Sequence, residues 1–206
     1  MDYSKLQNGR DIRGVALEGI EGQHINLTEA ACRDIGRGFA LWLAEKTGKK
    51  DLRVAVGRDS RLSGETLCGW ICEAMVQQGI AVTNFGMAST PAMFMATITE
   101  GYEFDGTVMI TASHLPFNRN GLKFFDPNGG LEKADIKEIL TLAKTLEIAS
   151  CDKEAILCDS LSVYTASLRE KIKAGVNAAD YEKPLAGLRI VVDAGNGAGG
   201  FFVEQV

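Results

Sequence analysis

Three short apolar runs, separated by stretches of helical periodicity, constrain this chain more than any other feature. RVAV (53–56) runs into Gly57, IAVTNF (80–85) into Gly86, and GTVMI (106–110) into a polar loop. Between the first two, Leu67, Trp70, Ile71, Ala74 and Met75 recur at helical spacing, entered from Ser63. Between the second and third, Thr90 followed by Pro91 reads as a cap and a first-turn proline, opening a short helix toward Glu100. Alternation of this kind predicts a largely parallel sheet covered by helices on both faces. The expected fold class is α/β, a three-layer α/β/α domain around a mostly parallel, mixed sheet.

The remaining elements extend this plan. Ala31, Ile35, Phe39, Trp42 and Leu43 form a helical stripe behind Thr28, an N-cap residue. Downstream come a polar loop (111–120), a strand-like GLKFF (121–125) and a turn at Pro127-Asn128-Gly129-Gly130. Two more helices are marked by Ile136, Ile139, Leu140 and Ala143, then by Leu161, Tyr164, Leu168 and Ile172. Residues 176–187 read as a linker, LRIVVD (188–193) as a new strand, and 194–200 as a glycine loop. A strand, a loop and one helical turn bury no core alone. Residues 1–180 are therefore read as one domain, and 181–206 as a linker and the truncated start of a second.

Composition excludes several classes of function. The 206 residues amount to one domain and part of another at ~150 residues each, and 46% apolar content is enough for a core. Lys and Arg number 22 against 27 Asp and Glu, with no block of like charge, so nucleic acid is not an expected partner. No apolar run approaches the ~20 residues of a membrane span, and the polar opening MDYSKLQNGRD lacks the apolar core of a secretory signal. The expectation is a cytoplasmic protein without a membrane partner. The five cysteines (Cys32, Cys68, Cys72, Cys151, Cys158) contain no C-x-x-C and are read as reduced thiols. Cys68 and Cys72 can meet on one helix face, but with only His24 and His114 in the chain a metal site there lacks ligands.

In open α/β sheets function collects in loops beyond the carboxyl ends of the strands. Three such loops stand out. GRDSRLSG (57–64) sets Arg58, Asp59 and Arg61 between a strand and a helix N-terminus, suited to holding an anion or to tying neighbouring loops by bidentate pairs. The plain alternative is a solvated turn with Ser63 as cap. TASHLPFNRNGLKFF (111–125) projects Ser113 from the end of a strand, with His114 beside it and Pro116 stiffening the turn. That suits a nucleophile, and Lys123 on the return strand can come back over the serine to stabilise negative charge or accept a proton. The alternatives are a turn serine bonded to its own backbone and a surface histidine. A serine hydrolase is disfavoured by the lack of a G-x-S-x-G elbow. DAGNGAGG (193–200) lacks G-x-G-x-x-G spacing and reads as a tight strand-to-helix turn.

Taken together, NGRDIRG (8–14), VGRDSRLSG (56–64), TASHLPFNRNGLKFF (111–125) and IVVDAGNGAGG (190–200) resemble the α-D-phosphohexomutases, the phosphoglucomutase/phosphomannomutase family. The resemblance spans nearly the whole chain, and its specific part is T-A-S-H-x-P followed by N-G-x-K. It implies a fold of the family's domain I type and a phosphoryl group moved between the 1- and 6-positions of a hexose through a bisphosphate. By the same resemblance Ser113 is the phosphorylated residue, Lys123 the lysine after N-G-x with Asn120 in that N-G, and Arg13 the arginine of D-I-R-G. Arg58, Asp59, Arg61, Ser63 and Gly64 match the R-D-x-R-x-S-G loop. His114 joins Ser113 and Lys123 as a candidate catalytic residue; Arg13, Arg58, Asp59, Arg61 and Asn120 are candidates for binding phosphate or organising loops. Leu115 stands where members usually carry Asn, which removes one polar side chain.

The resemblance also implies Mg²⁺, held by the phosphate on Ser113 together with an Asp-rich loop of a second domain, and a hexose 1,6-bisphosphate as activator and intermediate. The expected partners are a hexose phosphate and the remaining domains of a parent chain. By itself the 206-residue piece is expected not to turn over. Two readings of other classes stay open. One is a non-catalytic sugar-phosphate or anion-binding module with Arg13, Arg58, Arg61 and Lys123 as a basic pocket; the other is a structural or interaction domain.

Overall fold

The computed structural model describes residues 2–144, 154–159, 161–195 and 197–206, without the side chain of Phe201. Cys151 and Asn196 lie outside the described residues. In chain order the strands are β1 (Gln7–Asn8), β2 (Asp11–Val15), β3 (Arg53–Arg58), β4 (Ala81–Met87), β5 (Gly106–Ile110), β6 (Arg119–Asp126), β7 (Gly129–Gly130) and β8 (Ile156–Leu157). The helices are α1 (Glu29–Thr47), α2 (Gly64–Gln77), α3 (Thr90–Met95), α4 (Lys133–Leu142) and α5 (Leu161–Val176). The sheet order is β1-β2-β6-β5-β3-β4-β8, with β7 folded back on β6. β5, β3, β4 and β8 are mutually parallel, as the β-α-β alternation predicts, while β1, β2 and β6 add an antiparallel flank. The result is the expected mixed α/β sheet.

Strand alternation decides what each helix covers. Val54 and Val56 of β3, Val108 and Ile110 of β5, and Leu122 and Phe124 of β6 face a core shared with α1, α2 and α4. Ala55 and Met109 point the other way, into a smaller cluster with Met93 and Ala96 from and just after α3. Phe39 of α1 is fully buried at the centre of the larger core, its ring 4.8 Å from that of Phe124.

Several local expectations change on contact with the structure. The sequence pattern marks no element before Thr28, yet DIRGV is a strand, with Ile12, Gly14 and Val15 buried and Asp11 and Arg13 half-buried. Its charged members hide the alternation from a hydrophobicity scan. Thr28 does cap α1, accepting from the amide of Ala31. Thr90 is not the cap of α3: Ser89 is, accepting from the amide of Ala92, which makes Thr90 the first helical residue and Pro91 the second. That helix ends at Met95, short of Glu100. Ser63 precedes α2 without a side-chain capping bond, because its hydroxyl is engaged elsewhere.

The C-terminal segment departs further. LRIVVD (188–193) forms no strand; Leu188, Ile190, Val191 and Val192 are exposed, and no strand of the described residues lies alongside to satisfy their backbone. α5 lies lightly on the fold. Tyr164, Leu168 and Ile172 are half-buried, and Thr165 is its only fully buried residue.

Cys32, Cys68, Cys72 and Cys158 are free thiols. The Cys68 and Cys72 sulfurs lie 3.9 Å apart, and Cys68 also donates to Asn84 Oδ1. Burial pushes the Cys32 thiol up to about 12. No helix among the described residues is long and apolar enough to cross a membrane.

Removing the Phe39 ring leaves a cavity between α1 and the sheet that these rigid neighbours cannot refill. Phe39→Ala is expected to lower unfolding stability by about 3–5 kcal/mol in urea titration. Truncating Leu62, 80% exposed, should shift it by less than about 0.5 kcal/mol.

Candidate active site

The site is a consequence of helix placement. The helix after β3 packs on one face of the sheet and the helix after β4 on the other, so their connecting loops part at the carboxyl edge and leave a crevice. The loop after β5 forms its third wall. The cleft encloses about 360 Å³ and is lined by Asp59, Ser60 and Arg61, by Ala88, Ser89 and Thr90, and by Thr111 and Ser113. Gly197 and Ala198, from the distant glycine loop, close the remaining side.

Ser113 is exposed and sits in the left-handed region with φ 56°. A side-chain-bearing residue pays about 1–2 kcal/mol for that conformation, so surrounding bonds must hold it. Both of its backbone polar groups are pinned. Its amide donates to Thr111 Oγ1 at 3.0 Å, and its carbonyl accepts from Arg61 Nη2 at 2.7 Å. The hydroxyl is thereby turned outward, with His114 Nδ1 at 3.2 Å.

Arg61 accounts for most of the loop's shape. Its guanidinium donates to four main-chain carbonyls, those of Ser113 and Leu115 from Nη2 and those of Pro116 and Arg119 from Nη1, all at 2.7–3.0 Å. Asp59 holds the arginine in turn, accepting from its backbone amide at 3.0 Å and lying 3.5 Å from Nε. Asp59 Oδ2 also accepts from Thr111 Oγ1 at 2.6 Å, which closes a circuit through Thr111 back to Ser113. Of the two roles the sequence allows for Arg61, anion holding and loop tying, the geometry uses the second. Leu115 contributes its carbonyl to this arrangement, a role any side chain permits.

Lys123 and Arg13 form a second cluster. Lys123 Nζ donates to Asp11 Oδ2 at 2.6 Å, and Arg13 donates to the same oxygen from Nη2 at 2.9 Å and Nε at 3.3 Å. Arg13 Nη1 continues to the carbonyl of Ala112 at 3.4 Å, joining this cluster to the serine loop. Asn120 is fully buried and faces away, donating to Ser63 Oγ at 2.9 Å, which ties β6 to the start of α2. Gly121 beside it is obligatory. A Cβ there meets the Ile12 carbonyl at 2.4 Å and the Arg13 Cγ at 3.1 Å. Arg58 stays at the rim, donating to the Asp59 carbonyl and to exposed Glu65.

The structure thus gathers Ser113 with His114, Arg61 with Asp59, and Arg13 with Lys123. It assigns Asn120 to loop architecture. Sequence reasoning missed Thr111 and Asp11. For Asp11 the signal was present, since it lies two residues before Arg13 on the same face of a strand; for Thr111 no alternation points to it, because Ser113 lies in a turn with positive φ.

Residues 4–149 match the family model described as phosphoglucomutase/phosphomannomutase, alpha/beta/alpha domain I. The chain is 34% identical over 202 residues to a phosphoglucomutase of Neisseria gonorrhoeae, covering 96% of this chain and 40% of that protein. It is 34% identical over 204 residues to a phosphoglucomutase/phosphomannomutase of Thermococcus kodakarensis, with 95% and 40% covered. A phosphoglucosamine mutase of Corynebacterium jeikeium is 33% identical over 184 residues, with 88% and 40% covered. The chain therefore spans about 40% of the length of these relatives. In fold it is similar to a phosphoglucomutase/phosphomannomutase family protein of Burkholderia thailandensis, with TM-score 0.67 and 24% identity over 85% of this chain and 37% of that one. It is also similar to the open form of the Paramecium parafusin, with TM-score 0.69 and 16% identity over 97% and 40%.

Substitutions at two positions check the loop's construction. Arg61→Ala strands Asp59 and frees four carbonyls; breaking such a pair costs about 3 kcal/mol, or roughly 100-fold. Amide hydrogen exchange in residues 112–119 is expected to quicken by that factor while β3 keeps its protection. At Ser113, glycine tolerates the positive φ and alanine does not. Ser113→Gly should exceed Ser113→Ala in urea stability by about 1 kcal/mol.

Proposed function

The chain belongs to the phosphoglucomutase/phosphomannomutase family, matching its α/β/α domain I, and from that premise we propose that Ser113 is the phosphoryl carrier of a phosphohexomutase. The observation that carries the reading is the serine itself: a strained, exposed hydroxyl held outward by a clamp that fixes both its backbone groups. A turn serine of no function has no need of that conformation, because glycine adopts it without strain.

Phosphoryl transfer asks a protein mainly for in-line placement and for offsetting charge. In the proposed step Ser113 Oγ bonds to the phosphorus of a hexose 1,6-bisphosphate as the bond from that phosphorus to the sugar oxygen breaks. The proton leaves Ser113 for His114 Nδ1, 3.2 Å away, and ends on the departing sugar oxygen. Lys123 and Arg13 offset charge on the transferring group. The phosphoserine then passes its phosphoryl group to the free hydroxyl of a hexose monophosphate phosphorylated at the opposite position, whose proton returns through His114 to Ser113 Oγ. Bisphosphate and serine are regenerated, and the net change is isomerisation. Arg61 takes no part beyond holding the loop, since it donates to four carbonyls.

Magnesium enters this reading only through the resemblance. Bound beside a phosphoserine, it supplies Lewis-acid neutralisation of the phosphoryl oxygens. The described residues do not by themselves make such a site. Among the described residues no three His, Cys, Asp or Glu side chains group to hold a metal, and Asp59, the carboxylate lining the cleft, is engaged by Thr111 and Arg61. No step above depends on the ion.

Exposure to a hexose 1,6-bisphosphate, followed by intact mass and peptide mapping, is expected to find phosphate on Ser113 and none after Ser113→Ala. Phosphate on another residue, or none even on a full-length relative carrying this domain, sinks the reading. For the 206 residues alone, interconversion of glucose 1-phosphate and 6-phosphate is expected below detection. A missing electrostatic clamp on a transferring phosphoryl group is worth ~10³-fold or more in rate. Serine-dependent turnover at an ordinary enzymatic rate contradicts that expectation.

A further inference from the structure

The geometry points to Asp11 as a positioning residue for the Ser113 site, one that presets Lys123 and Arg13 as a paired phosphate receptor. The inference rests on the phosphoryl-carrier reading above, and four features of the antiparallel flank carry it.

Register comes first. Ile12 pairs with Leu122 and Arg13 with Gly121 across β2 and β6, so Asp11 falls opposite Lys123 on the same face of the sheet. Gly121, lacking a side chain, leaves the space through which Arg13 runs, since a Cβ there would stand 3.1 Å from Arg13 Cγ. Both cations then converge on one oxygen, Asp11 Oδ2, at 2.6 and 2.9 Å. All three side chains are shielded, at 16% exposure for Asp11 and Arg13 and 24% for Lys123, and neither cation has another carboxylate partner among the described residues. Finally the cluster abuts the cleft. Lys123 pairs with Met109 of β5, which lines the cleft beside Ser113, and Arg13 reaches the Ala112 carbonyl.

Two neighbouring cations repel, and without the shared carboxylate each long side chain samples solvent. With it they stay adjacent, and each retains N–H donors that Asp11 does not use, three being available on the ammonium and five on the guanidinium. A phosphate at Ser113 would meet donors already in place, which spares the entropy of ordering them. Asp11 itself touches no substrate. It acts through the two cations.

This role has a test with an inverted sign. Deleting a carboxylate near an anion site ordinarily tightens anion binding by removing repulsion. A positioning role predicts the reverse. Calorimetric titration of the 206-residue chain with inorganic phosphate is expected to show Asp11→Asn weakening binding by roughly tenfold, with Asp11→Glu recovering part of it. In a Lys123→Met background Asp11→Asn should lose most of that effect. Circular dichroism and thermal unfolding of each variant separate misfolding from mispositioning. If Asp11→Asn does not fold alone, Asp11→Glu compared with Lys123→Met carries the same comparison. Unchanged or tighter phosphate binding in a folded Asp11→Asn chain overturns the inference, as does wild-type chain that binds no phosphate. Phosphate on Ser113 together with no Asp11 effect leaves the carrier reading standing and rejects this one. Asp11-dependent phosphate binding with no phosphoserine in this chain or in a full-length relative supports the receptor assignment and rejects the carrier reading.

Discussion

The bond set of one guanidinium organises the functional end of this domain. Arg61 leaves the end of β3 and reaches across to the loop that follows β5, where its two terminal nitrogens gather four carbonyls. β3 and β5 are adjacent parallel strands, so those two loops leave the sheet side by side at the same edge. A lysine there cannot substitute, because a single ammonium lacks the planar fork that meets several acceptors at once. Asp59 supplies the counter-charge and, through Thr111, transmits the constraint to the serine amide. Core, sheet order and nucleophile are therefore linked by a chain of short bonds. The strained φ of Ser113 is its visible product.

Most of the fold was legible because burial imposes periodicity. The stripes of α1, α2 and α4 and the runs of β3, β4 and β5 all face the cores they help build. β2 was not legible, since Asp11 and Arg13 replace the apolar residues by which strands are recognised. The segment 188–193 failed in the opposite direction. Its apolar run has strand character, but strands exist as pairs, and this one has no neighbouring strand among the described residues. Ser89 in place of Thr90 as the cap of α3 is a one-residue ambiguity that two consecutive capping residues always create.

The candidate site divided similarly. The motif positions Ser113, His114, Lys123, Arg13 and Arg61 were readable as residues with chemistry. What each one bonds to was not. Arg58, Arg61, Arg13 and Lys123 read together as a basic pocket, yet the fold spends Arg61 on carbonyls, leaves Arg58 at an exposed rim, and neutralises the other two partly through Asp11. A sequence shows charge by type, whereas the availability of a cation depends on partners brought in from over a hundred residues away, as Lys123 is to Asp11. Asn120 makes the same point. Its place in N-G-x-K suggests ligand contact, but its side chain is wholly buried and braces the turn into α2.

The cleft's fourth wall follows from weaker forces. Gly197 and Ala198 reach it because the short segment Ala198–Phe202 leans on α5, with the Phe202 ring 5.7 Å from that of Tyr164. Gln205 adds two hydrogen bonds to α5, its side-chain oxygen accepting from Thr165 Oγ1 and its carbonyl from Arg169. Each of these contacts is of the order of about 1 kcal/mol, against the several kcal/mol that fix Ser113 through Arg61 and Asp59. The two sides of the cleft therefore differ in stiffness, with a rigid wall that carries Ser113 facing one held on α5 by an aromatic edge and the hydrogen bonds of Gln205. A cleft of about 360 Å³ is thus bounded by a firmly held serine loop on one side and by lighter contacts on the other. The phosphoryl transfer proposed above depends on the firm side, because placement of the attacking oxygen governs the rate of such a step.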